Sequence, residues 1–201
     1  MAQARPIPNL AARRGYHHGN LREALLEGAR QLVAERGPQG FTLTEAARRA
    51  GVSPSAPYRH FKDREEVLAE LCQRGFALFG QRMQAAAAGT RDAGEALQRM
   101  GPAYLAFARQ EPGYYAAMFA YQPEETAGEA EKGSPFETLT ATIGALLPGV
   151  GRNPRMVALQ VWALSHGVAM LERAGMPAAE SGAPPPEAVL EKGVTALLGR
   201  M

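Results

Sequence analysis

The feature that most constrains this chain is the spacing of its apolar residues. From about residue 20 to residue 199 they recur every three or four positions, in segments broken by Gly, Pro and capping residues. No run alternates β-branched with polar residues as a half-buried strand would. The reading is an all-α fold.

The helices follow in order. With Asn20 as N-cap, Leu21, Leu25, Ala29 and Leu32 define a first helix that ends near Arg36 at RGPQG. Thr42 and Glu45 have capping-box spacing and open a second helix with Leu43, Ala46, Ala47 and Ala50 inward. Gly51 stops it, because glycine accepts the left-handed conformation of a tight turn. Ser53 as N-cap and Pro54 in the first position predict a short third helix to about Phe61. Asp63, with Glu66 three residues on, opens a long fourth helix (about Arg64 to Met83). Its apolar side carries Val67, Leu68, Leu71, Cys72, Phe76, Phe79 and Met83. Further helices are expected at about 92–110, 112–121, 135–147, 153–174 and 185–199. Residues 1–18 read as a flexible basic tail, and 122–135 and 174–186, rich in Gly, Pro and Glu, as loops.

Charge is unevenly placed along the 201 residues. Residues 1–64 hold eleven Lys and Arg against five Asp and Glu, whereas residues 65–201 hold eleven against fifteen. A basic head on a mildly acidic body suits a chain whose first part meets a polyanion. The one cysteine, Cys72, allows no internal disulfide, which fits a reducing compartment. The first twenty residues contain no apolar run of signal-peptide length. The longest apolar stretch, Met156 to Leu171, is interrupted by Gln160, Ser165 and His166 and is short for a membrane span. The expectation is a cytoplasmic protein with no membrane partner.

A helix, the turn AGVS and a second short helix make a helix-turn-helix, whose second helix enters the major groove. Ala46, Ala47, Val52 and Phe61 can pack the pair together, which leaves Ser53, Ser55, Ala56 and Arg59 facing out. Small residues at the start of that helix allow close approach to base edges. Tyr58, His60, Lys62 and Arg64 can reach phosphate oxygens on either side, contacts that position without reading sequence.

GFTLTEAARRAGVSPSAPYRHFKDREEVLAEL resembles the DNA-binding domain of the TetR family of transcriptional regulators. The family signature is matched by Tyr58, His60, Phe61, Asp63, Arg64, Glu65, Val67 and Leu68. YHHGNLREALL (16–26) is similar to the start of the first helix in one branch of that family. VWALSHG resembles the Trp-x-x-x-His-Gly element of the WHG-type C-terminal domain of that branch, through Trp162, His166 and Gly167. The resemblance implies an all-α homodimer: a helix-turn-helix headpiece (19–64), and a ligand-binding and dimerisation domain (65–201) joined to it by the long helix. It implies phosphate contacts at Tyr58, His60, Lys62 and Arg64 and base contacts at Ser53, Ser55, Ala56 and Arg59. Thr42 and Thr44 match positions that often touch backbone or bases. It further implies a palindromic DNA operator and a small-molecule effector that releases it. Pro57 departs from the pattern, standing where many members have Leu or Ile. It removes a donor and biases Ala56 away from α geometry, so a late start or a kink is expected in the third helix.

Other readings compete at several positions. Arg5, Arg13 and Arg14 suit a solubilising tail as well as an arm in the minor groove. Trp162 and His166, at i and i+4, suit core packing with a satisfied imidazole as well as ligand contact. Ala163 and Gly167 have the same spacing and would let another helix approach, including one from a second subunit. Tyr104, Phe107, Tyr114, Tyr115, Phe119 and Tyr121 form an aromatic set whose hydroxyls need partners when buried. From these, Tyr104, Phe107, Tyr115, Phe119, Trp162 and His166 are expected to border an apolar pocket for a hydrophobic or aromatic ligand. No phosphate loop, nucleophile elbow or dinucleotide fingerprint occurs, and His17 and His18 have no metal-ligand spacing to other candidates. Neither catalysis nor a cofactor is expected. Alternatives to a ligand-released repressor are an activator or partner-controlled regulator of the same fold, and a small-molecule-binding protein whose headpiece no longer binds DNA.

Overall fold

A computed structural model describes residues 21–120, 133–147, 151–176 and 182–199. The tail 1–18, with Arg5, Arg13, Arg14, His17 and His18, lies outside the described residues, as do Asn20, Tyr121 and most of the 122–135 loop. Among the described residues there are eight α-helices, one 3-10 turn and no strand. The helices are α1 (Leu21–Arg36), α2 (Leu43–Arg49), α3 (Arg64–Ala87), α4 (Ala93–Gln110), α5 (Pro112–Ala120), α6 (Pro135–Leu146), α7 (Pro154–Arg173) and α8 (Pro186–Leu197).

Local chemistry sets these boundaries. Thr42 caps α2 in a full capping box: its hydroxyl accepts from the Glu45 amide at 3.2 Å, and the Glu45 carboxylate accepts from the Thr42 amide at 3.0 Å. Gly51 follows with φ +71°, the left-handed turn that only glycine adopts without strain. Asp63 caps α3 through the Glu66 amide at 2.9 Å, and the Glu66 carboxylate accepts from the Lys62 amide at 2.6 Å. Asp92, Ser134 and Asn153 cap α4, α6 and α7.

The third helix expected over Pro54–Phe61 is absent. In its place a turn, with the Ala56 amide donating to the Ser53 carbonyl at 3.0 Å, leads into a 3-10 turn at Pro57–Arg59. Pro57 has no N–H to continue an α-helical ladder from Ser53. Its ring is buried, and its carbonyl accepts from both His60 and Phe61 at 2.9 Å. Ser53 does not act as a cap; its hydroxyl lies 3.3 Å from that of Ser55.

Two apolar cores form. The first joins Leu25, Leu26, Ala29, Leu32 and Val33 of α1 with Leu43, Ala46 and Ala47 of α2, the flanking Phe41 and Phe61, and Val67, Leu68 and Leu71 of α3. Ala117 of α5 completes it. The second lies between the rest of α3 and helices α4 to α8. Helix α3 runs through both, and α5 packs on α1, α3 and α4. No helix among the described residues is long and apolar enough to cross a membrane.

Candidate functional site

The first candidate site is the outer end of the headpiece. Ser53, Ser55, Tyr58, Arg59 and Lys62 are exposed, with Tyr58 61% accessible, and Ala56 and His60 are half-buried at the same end. An aromatic ring is left in solvent because the buried neighbours Pro57 and Phe61 hold the turn on the core while Tyr58 points away. Thr42 is exposed and committed to its cap, and Thr44 is half-buried. Arg64 is engaged within the protein: it donates to the Glu65 carboxylate at 2.9 Å and to the Gln39 carbonyl at 3.4 Å. The turn therefore carries two cations outward, Arg59 and Lys62, with hydroxyls at Ser53, Ser55 and Tyr58. Such a surface can bond to phosphate and base edges.

The platform beneath it is tied by ion pairs. Arg22 of α1 and Arg74 of α3 converge on acidic partners across the helix pair: Arg22 pairs with Glu70, and Arg74 with both Glu70 and Glu23. Arg49 of α2 forks onto Glu35 of α1. The guanidinium of Arg74 holds the Glu23 carboxyl below its usual range, and that of Arg49 does the same for Glu35.

The second candidate site is a cavity of about 40 Å³ between α3, α4, α6, α7 and α8. Its wall includes Phe79, Met83, Met100, Gly101, Trp162 and Leu190. Tyr104 and Trp162, of the six residues expected at a pocket, line it; Phe107, Tyr115, Phe119 and His166 do not. Tyr115, Phe119 and His166 pack on one another as a layer behind it. Phe107 is fully buried, and Phe79 stands edge-on to its neighbours, with ring centroids 5.1 Å from Phe107, 5.2 Å from Tyr104 and 5.7 Å from Trp162. Small-molecule pockets typically enclose roughly 300–1,000 Å³. An occupant of that size requires the walls to part.

A polar chain leaves the cavity wall. The Tyr104 hydroxyl lies 3.2 Å from that of Tyr115, which lies 2.8 Å from His166 Nδ1. Burial pushes both phenols up, Tyr115 to about 12, and pushes the His166 imidazole down. All three groups are therefore neutral near pH 7. Ser165, beside His166 in sequence, donates its hydroxyl to the Val161 carbonyl at 2.8 Å and makes no bond to that imidazole.

Helix α5 stands between the two sites. Tyr115 and Phe119 face His166, with the Phe119 and His166 centroids 4.2 Å apart. Its other side meets α1: a Cβ on Gly113 would lie 2.3 Å from the Arg30 carbonyl oxygen, so only glycine fits. Glu111, immediately before α5, pairs with Arg30 of α1 and Arg82 of α3. Sequence reading did not single out Phe79, which looks like one more residue of an apolar stripe. Nor did it single out Gly101-Pro102, a helix-breaking pair inside α4 that marks where the cavity lies.

Together these features define a helical protein with an outward turn of cations and hydroxyls at one end and an inner cavity at the other. Two family models match the chain: the N-terminal model of bacterial regulatory proteins of the tetR family over residues 25–71, and the tetracyclin repressor-like C-terminal domain over residues 97–197. The chain belongs to the TetR family of transcriptional regulators. It is 29% identical over 100 residues to the uncharacterized HTH-type transcriptional regulator YobS of Bacillus subtilis (strain 168), a match spanning 49% of this chain and 51% of YobS. A solved protein of unknown function from Rhodococcus sp. RHA1 superposes with TM-score 0.72 at 27% identity, covering 92% of this chain and 97% of that one. The transcriptional regulator FadR from Bacillus subtilis, solved with stearoyl-CoA, superposes with TM-score 0.67 at 15% identity, covering 89% and 98%, which shows a shared fold.

Proposed function

We propose that this regulator is a cytoplasmic repressor that binds a palindromic operator as a homodimer and leaves it when a small apolar ligand fills the inner cavity. The observation that carries this reading is the position of α5, with its Tyr115 against Tyr104, its Phe119 against His166, and its Gly113 and Ala117 against α1. Widening the cavity displaces Tyr104, and with it Tyr115 and α5. Because Gly113 leaves no slack at the Arg30 carbonyl, α1 and the headpiece must follow. Helix α3 runs through both cores and is the second lever.

In this reading residues 19–64 bind DNA and residues 65–201 hold ligand and partner subunit. Lys62, Tyr58 and His60 contact phosphates, and Ser53, Ser55, Ala56 and Arg59 approach base edges, with the Arg59 charge adding to the attraction. Thr42 and Arg64 brace the head. The second subunit covers the outer face of α7 and α8, where Met156, Leu159, Met170, Leu171 and Val189 are exposed. Ala163 and Gly167 lie mid-face, and no other group lies within 4 Å of a Cβ placed on Gly167, which leaves room for a partner helix. Two heads must then meet half-sites about one DNA turn, roughly 34–36 Å, apart. A ligand that favours another spacing releases the operator by its differential affinity for the two forms.

The test is binding of the full chain to genomic fragments, including its own upstream region, across a salt series. Tight binding to one short palindrome, weakening steeply with salt, is expected. Weak binding equal on all fragments would point instead to a headpiece that no longer reads DNA.

A further inference from the structure

We infer that the cavity takes an uncharged, mainly apolar group with one hydrogen-bond acceptor, and that Tyr104 is the residue that reads that acceptor. The inference takes its biological meaning from the repressor reading above, and its chemistry from the cavity alone.

The wall decides the charge. Ten of the thirteen lining residues present only carbon, sulfur or backbone atoms, the others being Tyr104, Trp162 and Ser165, and none is ionisable at neutral pH except as a phenol held protonated by burial. A carboxylate or phosphate inside would have no counter-charge, and its desolvation would go unrecovered. Ligand charge is therefore confined to groups that stay outside the cavity.

The hydroxyls decide the polarity of the remaining contact. Ser165 has already given its proton to the Val161 carbonyl. Tyr104 has its proton to give, whichever tautomer His166 adopts. If Nδ1 accepts, Tyr115 donates to His166 at 2.8 Å and Tyr104 donates to Tyr115 across 3.2 Å, a long bond for two hydroxyls, which usually sit at about 2.7–2.8 Å. If Nδ1 carries hydrogen, it donates to Tyr115, Tyr115 donates to Tyr104, and the Tyr104 proton is left with no acceptor in that chain. In both arrangements the weakest commitment is the Tyr104 O–H. Tyr104 belongs to the cavity wall, so an acceptor that reaches its oxygen competes with Tyr115 for this proton.

The wall also shows where space is gained. Met83 and Met100 are unbranched and adapt readily, and Gly101 offers no side chain beside the Pro102 break. Leu190 is the one buried residue of α8 and lies against Gly101, where a Cβ would meet it at 3.4 Å.

Trp162 is the only tryptophan of the chain and lines the cavity, so its emission reports occupancy without DNA. The experiment titrates the full chain with cyclohexanone, methylcyclohexane and cyclohexanecarboxylate, read by Trp162 emission and by calorimetry. Saturable binding is expected for cyclohexanone, tighter than for methylcyclohexane, and weaker by more than about a hundredfold for the carboxylate. Tyr104→Phe should weaken cyclohexanone by roughly three- to tenfold, the worth of one hydrogen bond, and bring it level with methylcyclohexane. Tyr115→Phe removes the competing acceptor where Nδ1 accepts and should then tighten cyclohexanone by about two- to fivefold, and where Nδ1 carries hydrogen it removes only a donor and should leave that affinity unchanged; mere disturbance of packing would weaken it. The inference is overturned if the carboxylate binds as tightly as the ketone, or if neither neutral compound binds. It is also overturned if the ketone keeps its advantage in Tyr104→Phe or loses affinity in Tyr115→Phe. Release from an operator fragment is scored separately. Ketone binding without release defeats the repressor reading and leaves this inference standing, whereas release by an anion that outcompetes the ketone does the reverse.

Discussion

The headpiece core and the body core are built from different materials. The headpiece is mainly aliphatic, interleaved with alanines at Ala29, Ala46 and Ala47, and clamped outside by Arg22, Arg49 and Arg74 on their carboxylates. Single exposed ion pairs stabilise little, but shared partners such as Glu70 fix the angle between α1 and α3. The body is aromatic, with rings mostly edge-on around Phe79, a chain of neutral hydroxyls and an imidazole, and a cavity. A reading head must keep its geometry, whereas a sensing core must change its geometry on demand. Close-packed aliphatic side chains suit the first task, and adaptable side chains around a small void suit the second.

Substitutions can break or sharpen this contrast. The largest effect is expected for Phe61→Ala, which empties a site 2% exposed at the centre of the headpiece and should cost about 3–5 kcal/mol. Chemical denaturation should show the loss, and operator binding should disappear while cyclohexanone still shifts Trp162 emission in folded protein. Gly113→Ala comes next. Its Cβ would sit 2.3 Å from the Arg30 carbonyl oxygen and must force α1 and α5 apart, at about 1–3 kcal/mol. Operator affinity should change more than ligand affinity, and equal changes in both would remove α5 as the connecting element.

A matched pair of glycines tests the contrast directly. In the headpiece, a Cβ on Gly28 would lie 2.9 Å from the Ala46 carbonyl oxygen, so Gly28→Ala should destabilise by about 1–2 kcal/mol. In the body, a Cβ on Gly101 would meet only the Leu190 side chain, at 3.4 Å. Gly101→Ala should stabilise by up to about 1 kcal/mol through helix propensity, and should weaken ligand binding by narrowing the cavity. Thermal melts of the two variants should move in opposite directions; shifts of the same sign would mean that the two cores are equally tight.

The smallest effect concerns His166. Burial lowers its folded pKa below the ordinary 6.5 that it regains on unfolding. The unfolded chain then binds the proton more readily, so this contribution to stability is present above about pH 6.5 and is lost as pH falls through that value towards the folded pKa. Between about pH 7 and pH 5, stability should fall less steeply in His166→Asn than in the parent. Parallel profiles would show that the imidazole is not desolvated.

The helices after residue 90 were legible to within a residue or two because their ends are written in short-range chemistry, such as Ser134-Pro135 and Asn153-Pro154. The third helix was over-read for a related reason. Ser53-Pro54 is a strong start signal, but the missing donor of Pro57 acts three residues later and outweighs it. The aromatic set could be seen in the sequence, while its division into a cavity wall and a layer behind could not. That division depends on how α3, α6 and α8 close around Tyr104 and Trp162, which is decided by contacts distant in sequence.

The turn at Pro57 has a further electrostatic consequence. A regular recognition helix brings the aligned dipoles of its peptide groups, a partial positive charge at its N-terminus that draws phosphate before any side chain moves. Three residues of 3-10 turn carry almost none of that alignment. On the proposed reading the outward cations Arg59 and Lys62 supply that attraction instead, from long side chains that salt screens readily. This head meets DNA with movable point charges where a helix would offer a fixed field.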